Sequence, residues 1–309
     1  MSDALLKVYF ESALARGETV TIDESFREAL AERKWPTPVR CLVGEIACAA
    51  MLVRAATAYR GDTTIQVEGD GPVKLVVVQV DNDLRYRLSV LLDEEADYTD
   101  TSMTALVNRN GQGRCALILD DKDRPKEQVM PYQGVVPLTG ATFAESMTDY
   151  FLASEQVETK VMLASDGERA GGLMIQKLPT YGGNKLPENY DEEAWSRLVT
   201  FAGTLKDEEL LGLDPETINR RLFWEESPRV VGEGKPSFFC GCSREAVENV
   251  IAKLGRKDAL DMLDEKGEFV AVCRFCNKHH VFTRDQILAK FPDEAEKEGG
   301  EKEEKKSVH

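Results

Sequence analysis

The sequence predicts an α+β fold with a small cysteine-bearing unit near its C-terminal end. Two observations carry this prediction. Strand-like runs follow one another in hairpin order, with helical segments between the groups. Four of the seven cysteines are confined to residues 240–276, as one C-x-C and one C-x-x-C pair. A hydrophobic content of 42% is enough to build a buried core in a chain of 309 residues.

The first 179 residues supply most of the predicted secondary structure. Apolar runs predict strands over residues 5–10, 19–22, 63–69, 73–80, 84–92, 114–120, 130–138, 161–164 and 172–178. Helices are predicted over 26–32, 38–60 and 142–155, and the second of these is expected to end at Gly61. Because the strands form meanders and do not alternate regularly with helices, we expect antiparallel sheets and not a parallel doubly wound sheet.

The composition changes after Pro179. A polar connection at 180–193 precedes apolar residues at helical spacing from Ala194, and Asp214 with Pro215 marks the start of a further helix over 216–226. We therefore expect four segments, which are an N-terminal α+β domain at 1–179, a helical linker at 180–235, a small domain at 236–292 and a disordered acidic tail at 293–309.

Charge and histidine content exclude several classes of function. The net charge of −16 opposes binding to phosphate backbones and anionic lipid, so no nucleic-acid or membrane partner is expected. Histidine occurs only at His279, His280 and His309, so residues 1–278 cannot by themselves form a histidine-based catalytic site. We expect a protein that is not an enzyme.

The compartment is inferred from targeting signals and cysteine usage. The first residues show no secretory signal, and the apolar stretch 41–59 is interrupted by Glu45 and Arg54, which favours a buried core helix over a membrane span. Seven cysteines are too sparse for a secreted disulfide scaffold. A cytoplasmic location is therefore expected, where paired cysteines are typically metal ligands or redox groups.

Cys240, Cys242, Cys273 and Cys276 are the candidate metal ligands. Four thiolates complete the tetrahedral shell of one Zn²⁺ ion. Around them, the sequence predicts helices over 244–254 and 257–263, and a hairpin of strands 268–272 and 279–282 that carries the C-x-x-C pair at its turn. A unit this small needs a staple, and zinc binding, worth about 10 kcal/mol, would couple metal binding to folding.

The chemistry of the cysteines leaves alternatives open. Cys240 and Cys242 are spaced to form a strained, labile disulfide, and zinc-bound thiolates remain open to oxidants, so the site is either a redox switch or a plain zinc clip. His279 or His280 in place of one cysteine would give a Cys3His site. The remaining cysteines, Cys41, Cys48 and Cys115, lie in apolar segments and are interpreted as small hydrophobic residues.

Two other functions are compatible with paired cysteines. A zinc-ribbon module for nucleic acid has tolerable cysteine spacing, but the chain lacks basic patches with interleaved aromatic residues. A thiol oxidoreductase places C-x-x-C at the start of a helix in a βαβ unit, whereas Cys273 is expected to follow a hairpin strand.

Four blocks of the sequence together match the pattern of one known family. The C-x-C and C-x-x-C pairs lie 30 residues apart, and the other blocks are GDTTIQVEGDGPVKLVVV (61–78), YQGVVPLTGATFAESMTDYFLASEQVETK (132–160) and AGGLMIQKLP (170–179). In these blocks the chain resembles the heat-shock protein 33 family of redox-regulated bacterial chaperones, and its cysteine separation is within the range usual for that family. The blocks occur in the same order, and the resemblance covers nearly the whole chain apart from 180–193 and the tail.

The resemblance implies an ATP-independent holdase that is inactive while reduced and zinc-bound. It implies that oxidation forms the disulfides Cys240–Cys242 and Cys273–Cys276, releases zinc, unfolds the small domain and frees the linker. Unfolded client proteins would then bind to the uncovered apolar surface and pass to ATP-dependent foldase chaperones, and the oxidised form would tend to dimerise. No client-binding residues are predicted, but the linker's apolar face is expected to be buried while the linker is docked. That face comprises Leu198, Leu205, Leu211, Leu222 and Phe223.

Overall fold

The computed structural model describes residues 2–121, 123, 131–179 and 186–291, and it divides into two compact units between Phe239 and Cys240. The predicted disordered tail at 293–309 lies outside the described residues, as do residues 180–185 of the predicted polar connection. None of the described helices is long and apolar enough to cross a lipid bilayer.

The N-terminal unit contains two sheets. Its strands are β1 (Ala4–Phe10), β2 (Ala15–Ile22), β3 (Gly61–Glu68), β4 (Val73–Val80), β5 (Arg85–Leu92), β6 (Arg114–Asp121), β7 (Tyr132–Pro137), β8 (Thr159–Ser165), β9 (Ala170–Lys177), β10 (Arg229–Gly234) and β11 (Ser237–Phe238). The first sheet has the order β10-β1-β2-β9-β8 and the second has the order β11-β5-β4-β3-β6-β7. Neighbouring strands are antiparallel except for β11, which runs parallel to β5. The predicted α+β class with antiparallel sheets is therefore confirmed.

The helices of this unit fall into two groups along the chain. The first group is α1 (Glu24–Leu30), α2 (Thr37–Ala56), α3 (Met103–Val107) and α4 (Phe143–Tyr150), which continues as a π-helical turn at Phe151–Glu155. The second group is α5 (Ala194–Ala202), α6 (Asp207–Gly212) and α7 (Pro215–Phe223), followed by a 3-10 turn at Trp224–Glu226. The long helix α2 packs against strands of both sheets, and it buries Leu42, Ile46, Met51 and Leu52 in the main core.

Several predicted boundaries were wrong. Helix α2 ends at Ala56 and not at Arg60, because the Arg54 guanidinium turns to the carbonyl oxygen of Tyr59 and the side chain of Asn82. Gly61 is the first residue of β3 and not a helix stop. A Cβ atom at Gly61 would lie 1.9 Å from the carbonyl oxygen of Asp120 on the neighbouring strand β6, so the close approach of these strands requires glycine.

The last residues of the predicted linker are not helical. Residues 229–234 form β10, which pairs antiparallel with β1 at the end of the first sheet, and residues 237–238 form β11. Both strands form because distant strands pair with them, and not because of a local signal. The sequence of β10, RVVGEG, contains two glycines, and that of β11, SF, is too short to show a periodic pattern. Asp214 caps α7 as predicted, since its carboxylate accepts a hydrogen bond from the Thr217 backbone N–H at 2.8 Å.

The helices α5, α6 and α7 pack on the first sheet and form a second core. The sheet contributes Leu6, Val8, Phe10, Leu173 and Ile175 among others, the helices contribute Leu198, Leu210, Ile218 and Phe223, and the turn between α5 and α6 contributes Leu205. The rings of Phe10 and Phe223 meet edge to face at 5.2 Å. Of the apolar face predicted from sequence, Leu198, Leu205 and Phe223 are buried, while Leu211 and Leu222 are half-buried against the same core.

The C-terminal unit consists of α8 (Arg244–Leu254), α9 (Arg256–Asp261), the hairpin β12 (Glu268–Val272) with β13 (His279–Thr283), and α10 (Arg284–Leu288). Ser243 caps α8 by accepting a hydrogen bond from the Ala246 backbone N–H at 3.0 Å, and Gly255 ends the helix at a φ of +90°. Helix α8 and strand β12 match their predicted positions, β13 extends one residue past the predicted 279–282, and α9 begins one residue before and ends two residues before the predicted 257–263. Among the described residues of this unit, the fully buried apolar side chains are Ile251, Ala259, Phe282 and Ile287.

Candidate metal centre

The structure brings together the sulfur atoms of Cys240, Cys242, Cys273 and Cys276. All four lie within 4.8 Å of one another. The sulfurs of Cys240 and Cys273 are 3.6 Å apart, and those of Cys242 and Cys276 are 3.2 Å apart. A tetrahedral zinc ion with Zn–S bonds of about 2.3 Å holds its sulfurs about 3.8 Å apart. The spacing of the cluster therefore fits one metal ion, and four soft sulfur donors are a ligand set that suits zinc.

Local backbone structure holds each cysteine pair with its sulfurs toward the centre of the four-sulfur cluster. Cys273 directly follows strand β12, and its backbone N–H donates to the carbonyl oxygen of Lys278 at 3.0 Å. Asn277 has a φ of +58°, which turns the chain back toward β13. Cys242 precedes Ser243, the residue that caps α8, so this pair is held at the start of a helix. One pair thus lies in a hairpin turn and the other in a helix entry.

Burial and hydrogen bonds together shift the pKa values of the clustered thiols. Burial raises the pKa of Cys240, and it raises that of Cys242 together with hydrogen bonds from the neighbouring sulfurs. Burial also acts to raise the pKa of Cys273, but hydrogen bonds from the backbone N–H groups of Phe275 and Cys276 lower it to about 7. The pKa of Cys273 is thus lower than that of an ordinary thiol, and a lower pKa favours the thiolate, which is the form that binds metal.

Arg244 links the two halves of the unit, a role that sequence reasoning missed. Its guanidinium donates to the carbonyl oxygen of Val281 at 2.7 Å and to Oε1 of Gln286 at 2.7 Å, and it lies 4.2 Å from the centre of the Phe282 ring. Helix α8, which follows Cys242, is thereby fixed to the strand that follows the second cysteine pair. The partners lie about 40 residues away in sequence, so only the position beside the C-x-C pair gave a signal.

The two histidines of the hairpin do not belong to the sulfur cluster. His279 is exposed, and His280 is 5% exposed on the inner face of β13, opposite Ala271 of β12. The cysteines outside the cluster behave as small apolar side chains. Cys48 and Cys115 are buried, and burial raises the pKa of Cys115 to about 12, whereas Cys41 is half-buried.

Comparisons with known proteins agree over nearly the whole chain. A family model described as Hsp33 protein matches residues 3–283. A 33 kDa chaperonin from Methylobacillus flagellatus is 36% identical over 283 residues, which covers 91% of this chain and 92% of that protein. A 33 kDa chaperonin from Pseudomonas fluorescens is 33% identical over 292 residues, covering 94% of each chain.

A solved structure shows the same fold. The crystal structure of a 33 kDa chaperonin (heat shock protein 33 homolog) from Thermotoga maritima superposes with a TM-score of 0.75 at 20% sequence identity, and the match covers 96% of this chain and 100% of that one. The sequence blocks, the four gathered cysteines and the fold therefore lead to one assignment: the chain belongs to the Hsp33 protein family.

Proposed function

We propose that this protein is a redox-regulated, ATP-independent holdase chaperone whose reduced, zinc-bound form is inactive. Membership of the Hsp33 family supports a chaperone function, and the relatives carry the name of a chaperonin and not of an enzyme. The regulation is our inference, and the observation that carries it is the cluster of four sulfurs within 4.8 Å. This cluster lies in a unit with very little apolar core of its own.

In the reduced state, Cys240, Cys242, Cys273 and Cys276 would hold one zinc ion. Metal binding would stabilise the folded state of the C-terminal unit. Four buried apolar side chains supply too little burial to offset the backbone entropy of about 50 ordered residues, which costs roughly 1–2 kcal/mol each. Zinc binding contributes about 10 kcal/mol or more to the folding of comparable sites. Loss of the ligands is then equivalent to loss of the fold in this unit.

Oxidation would remove the ligands in pairs. One thiolate attacks a peroxide oxygen and expels hydroxide, which leaves a sulfenic acid, and the second thiolate attacks that sulfur and expels another hydroxide. Each disulfide therefore consumes one hydrogen peroxide. We propose the pairs Cys240–Cys242 and Cys273–Cys276, and disulfide sulfurs no longer supply the charge that binds zinc. With no ligand set and a minimal core, the unit unfolds.

The linker would carry this change to the N-terminal unit. We propose that residues 1–179 form the chaperone domain, 180–235 the linker and 236–292 the switch domain, and that an acidic tail follows at 293–309. The helices α5–α7 bury an apolar face on the first sheet, so their release would uncover both that face and the sheet surface beneath it. Exposed apolar surface of this kind is what an unfolded protein needs in order to bind.

We further propose that the protein acts in the cytoplasm, binds unfolded clients as partners and transfers them to ATP-dependent foldases. The oxidised form is proposed to dimerise. The net charge of −16 supports such a role, since like-charge repulsion keeps complexes with aggregation-prone clients in solution. The same charge disfavours nucleic acid and anionic membranes as partners.

Peroxide treatment at mildly raised temperature tests this proposal. We expect the reduced protein to retain about one zinc per chain, and oxidation to release it while suppression of client aggregation appears. Zinc release is followed with a chromogenic chelator, and aggregation by light scattering of a chemically unfolded protein diluted into buffer. Holdase activity that is the same before and after oxidation would refute the switch. Zinc loss without the appearance of holdase activity would show that the zinc site has a structural role and no regulatory role.

A further inference from the structure

Strand β10 is an edge strand of the first sheet, and its pairing is irregular. It pairs only with β1 among the described strands, and the register shifts between Lys7 and Val8, so that Gly232 faces Lys7 and Val230 faces Val8. Val231 lies at this irregularity with no partner across the pair. Val230 and Val231 are both 52% exposed. A bulged edge strand that buries so little apolar surface adds little stability to its pairing.

Strand β10 lies between two segments of the chain that the proposed activation would release, so its own attachment depends on theirs. It follows the linker helices directly after the turn at Trp224–Glu226, and it precedes β11 and Cys240. Strand β11 is two residues long, held by Phe238 edge to face on Tyr86 at 6.2 Å and by the Phe239 N–H donating to the Tyr86 carbonyl oxygen at 2.9 Å. The elements on both sides of β10 are therefore those that the proposed activation loosens.

Detachment of β10 would expose more than apolar surface. Strand β1 would become the edge of the sheet, with unpaired backbone N–H and C=O groups along one side. Its side chains Leu6, Val8 and Phe10 lie on the face that α5–α7 cover, next to Leu173 and Ile175. An open strand edge would thus adjoin an open apolar face on the same sheet.

We propose that in the activated protein an extended segment of the unfolded client replaces β10 and pairs antiparallel with β1. This inference rests on the proposed function, because it needs the linker to be released. A client segment with alternating apolar residues fits the edge, since every second side chain would continue the apolar face while its backbone completes the ladder. The occupancy of this edge by β10 in the structure shows that it accepts an antiparallel strand.

Hydrogen exchange at residue resolution tests the replacement on the full-length oxidised protein. The client probe is carboxymethylated α-lactalbumin, which stays unfolded and has no free thiols. On oxidation, amides of residues 229–234 and those of β1 that face β10 should lose protection. Adding the probe should restore protection in β1 but not in β10. The other edge strand of the sheet, β8, serves as the internal control and should not respond to the probe.

A pair of variants provides an independent readout. In Gly232→Thr, the added Cβ atom would lie 3.4 Å from Cδ of Lys7, which is an ordinary contact, and a β-branched residue in place of glycine should strengthen β10. We expect the oxidised variant to bind the probe about fivefold more weakly, because a change of ~1 kcal/mol in strand stability must be overcome first. Val231→Thr introduces the same side chain at the unpaired position of the same strand and should bind like the unmodified protein.

The outcomes separate this inference from the proposed function. Probe binding on oxidation with β10 still protected, or with β1 still unprotected when the probe is bound, would overturn the edge replacement and leave the switch intact. Equal weakening by both variants would also contradict it. Failure of the oxidised protein to bind the probe at all would contradict the proposed function itself.

Discussion

A variant with Cys276 replaced by serine is expected to lose its zinc and to lose the fold of residues 240–291. Cys276 lies 3.2 Å from the sulfur of Cys242 within the four-sulfur cluster, and a serine hydroxyl is a far poorer zinc ligand than a thiolate. Substitution of residues that only orient the ligands costs 10–100-fold in affinity, so loss of a ligand itself should cost more than about a hundredfold. Zinc content and proteolysis of the purified variant measure the two effects.

The control for this variant is Cys41→Ser. Cys41 is a half-buried thiol of the N-terminal unit outside the cluster, so its removal should leave zinc content unchanged. Strands β1–β9 and helix α2 should stay resistant to protease in both variants, since the main core does not involve the cluster. If Cys276→Ser keeps a full complement of zinc, the ligand assignment fails.

Replacing Gly171 by alanine is expected to activate the protein without oxidation. A Cβ atom at Gly171 would lie 2.6 Å from the carbonyl oxygen of Leu210 and 2.9 Å from its Cγ. Strand β9, which carries Gly171, is paired on both sides by β2 and β8, so the strand is fixed and the helix α6 must move. Overpacking of this kind costs about 1–3 kcal/mol, which raises the population of the undocked linker roughly five- to hundredfold.

The measurement is aggregation suppression in the presence of reductant, with zinc content determined in parallel. The Gly171→Ala protein should hold clients while it still binds zinc, which separates linker release from metal loss. Gly212→Ala is the matched control, because Gly212 ends the same helix and no atom lies within 4 Å of a Cβ atom built there. Equal activity of the two variants, or zinc loss from Gly171→Ala, would contradict a role for linker docking in inhibition.

The parts of the fold that sequence predicted are those with local signals. Helix α8 could be placed to the residue because Ser243 and Gly255 are strong cap residues that flank an amphipathic run. The hairpin β12–β13 followed from the short apolar runs on the two sides of C-x-x-C. The cluster itself followed from ligand chemistry, because four thiolates at these spacings match one zinc shell without knowledge of the intervening fold.

The parts that sequence could not predict depend on distant partners. Strand β10 has little strand propensity and exists because β1 offers an open edge. Gly61 was interpreted as a helix stop because its actual constraint, the nearby carbonyl oxygen of Asp120, lies on another strand. Arg244 joins three elements of the C-terminal unit, but apart from its position beside the C-x-C pair nothing in the sequence distinguishes it from a solvated helix residue. Long-range pairing and packing leave no periodic trace at such positions.

Proteolysis of the reduced protein after removal of its metal tests the central claim most directly. A high-affinity zinc chelator is added with reductant present, so that all four thiols stay free, and the fragments are mapped over time. We expect rapid cleavage within 240–291 while the strands β1–β9 and the helix α2 resist, because the metal replaces a core that this unit lacks. A C-terminal unit that remains resistant and folded after its zinc has been removed would contradict the account.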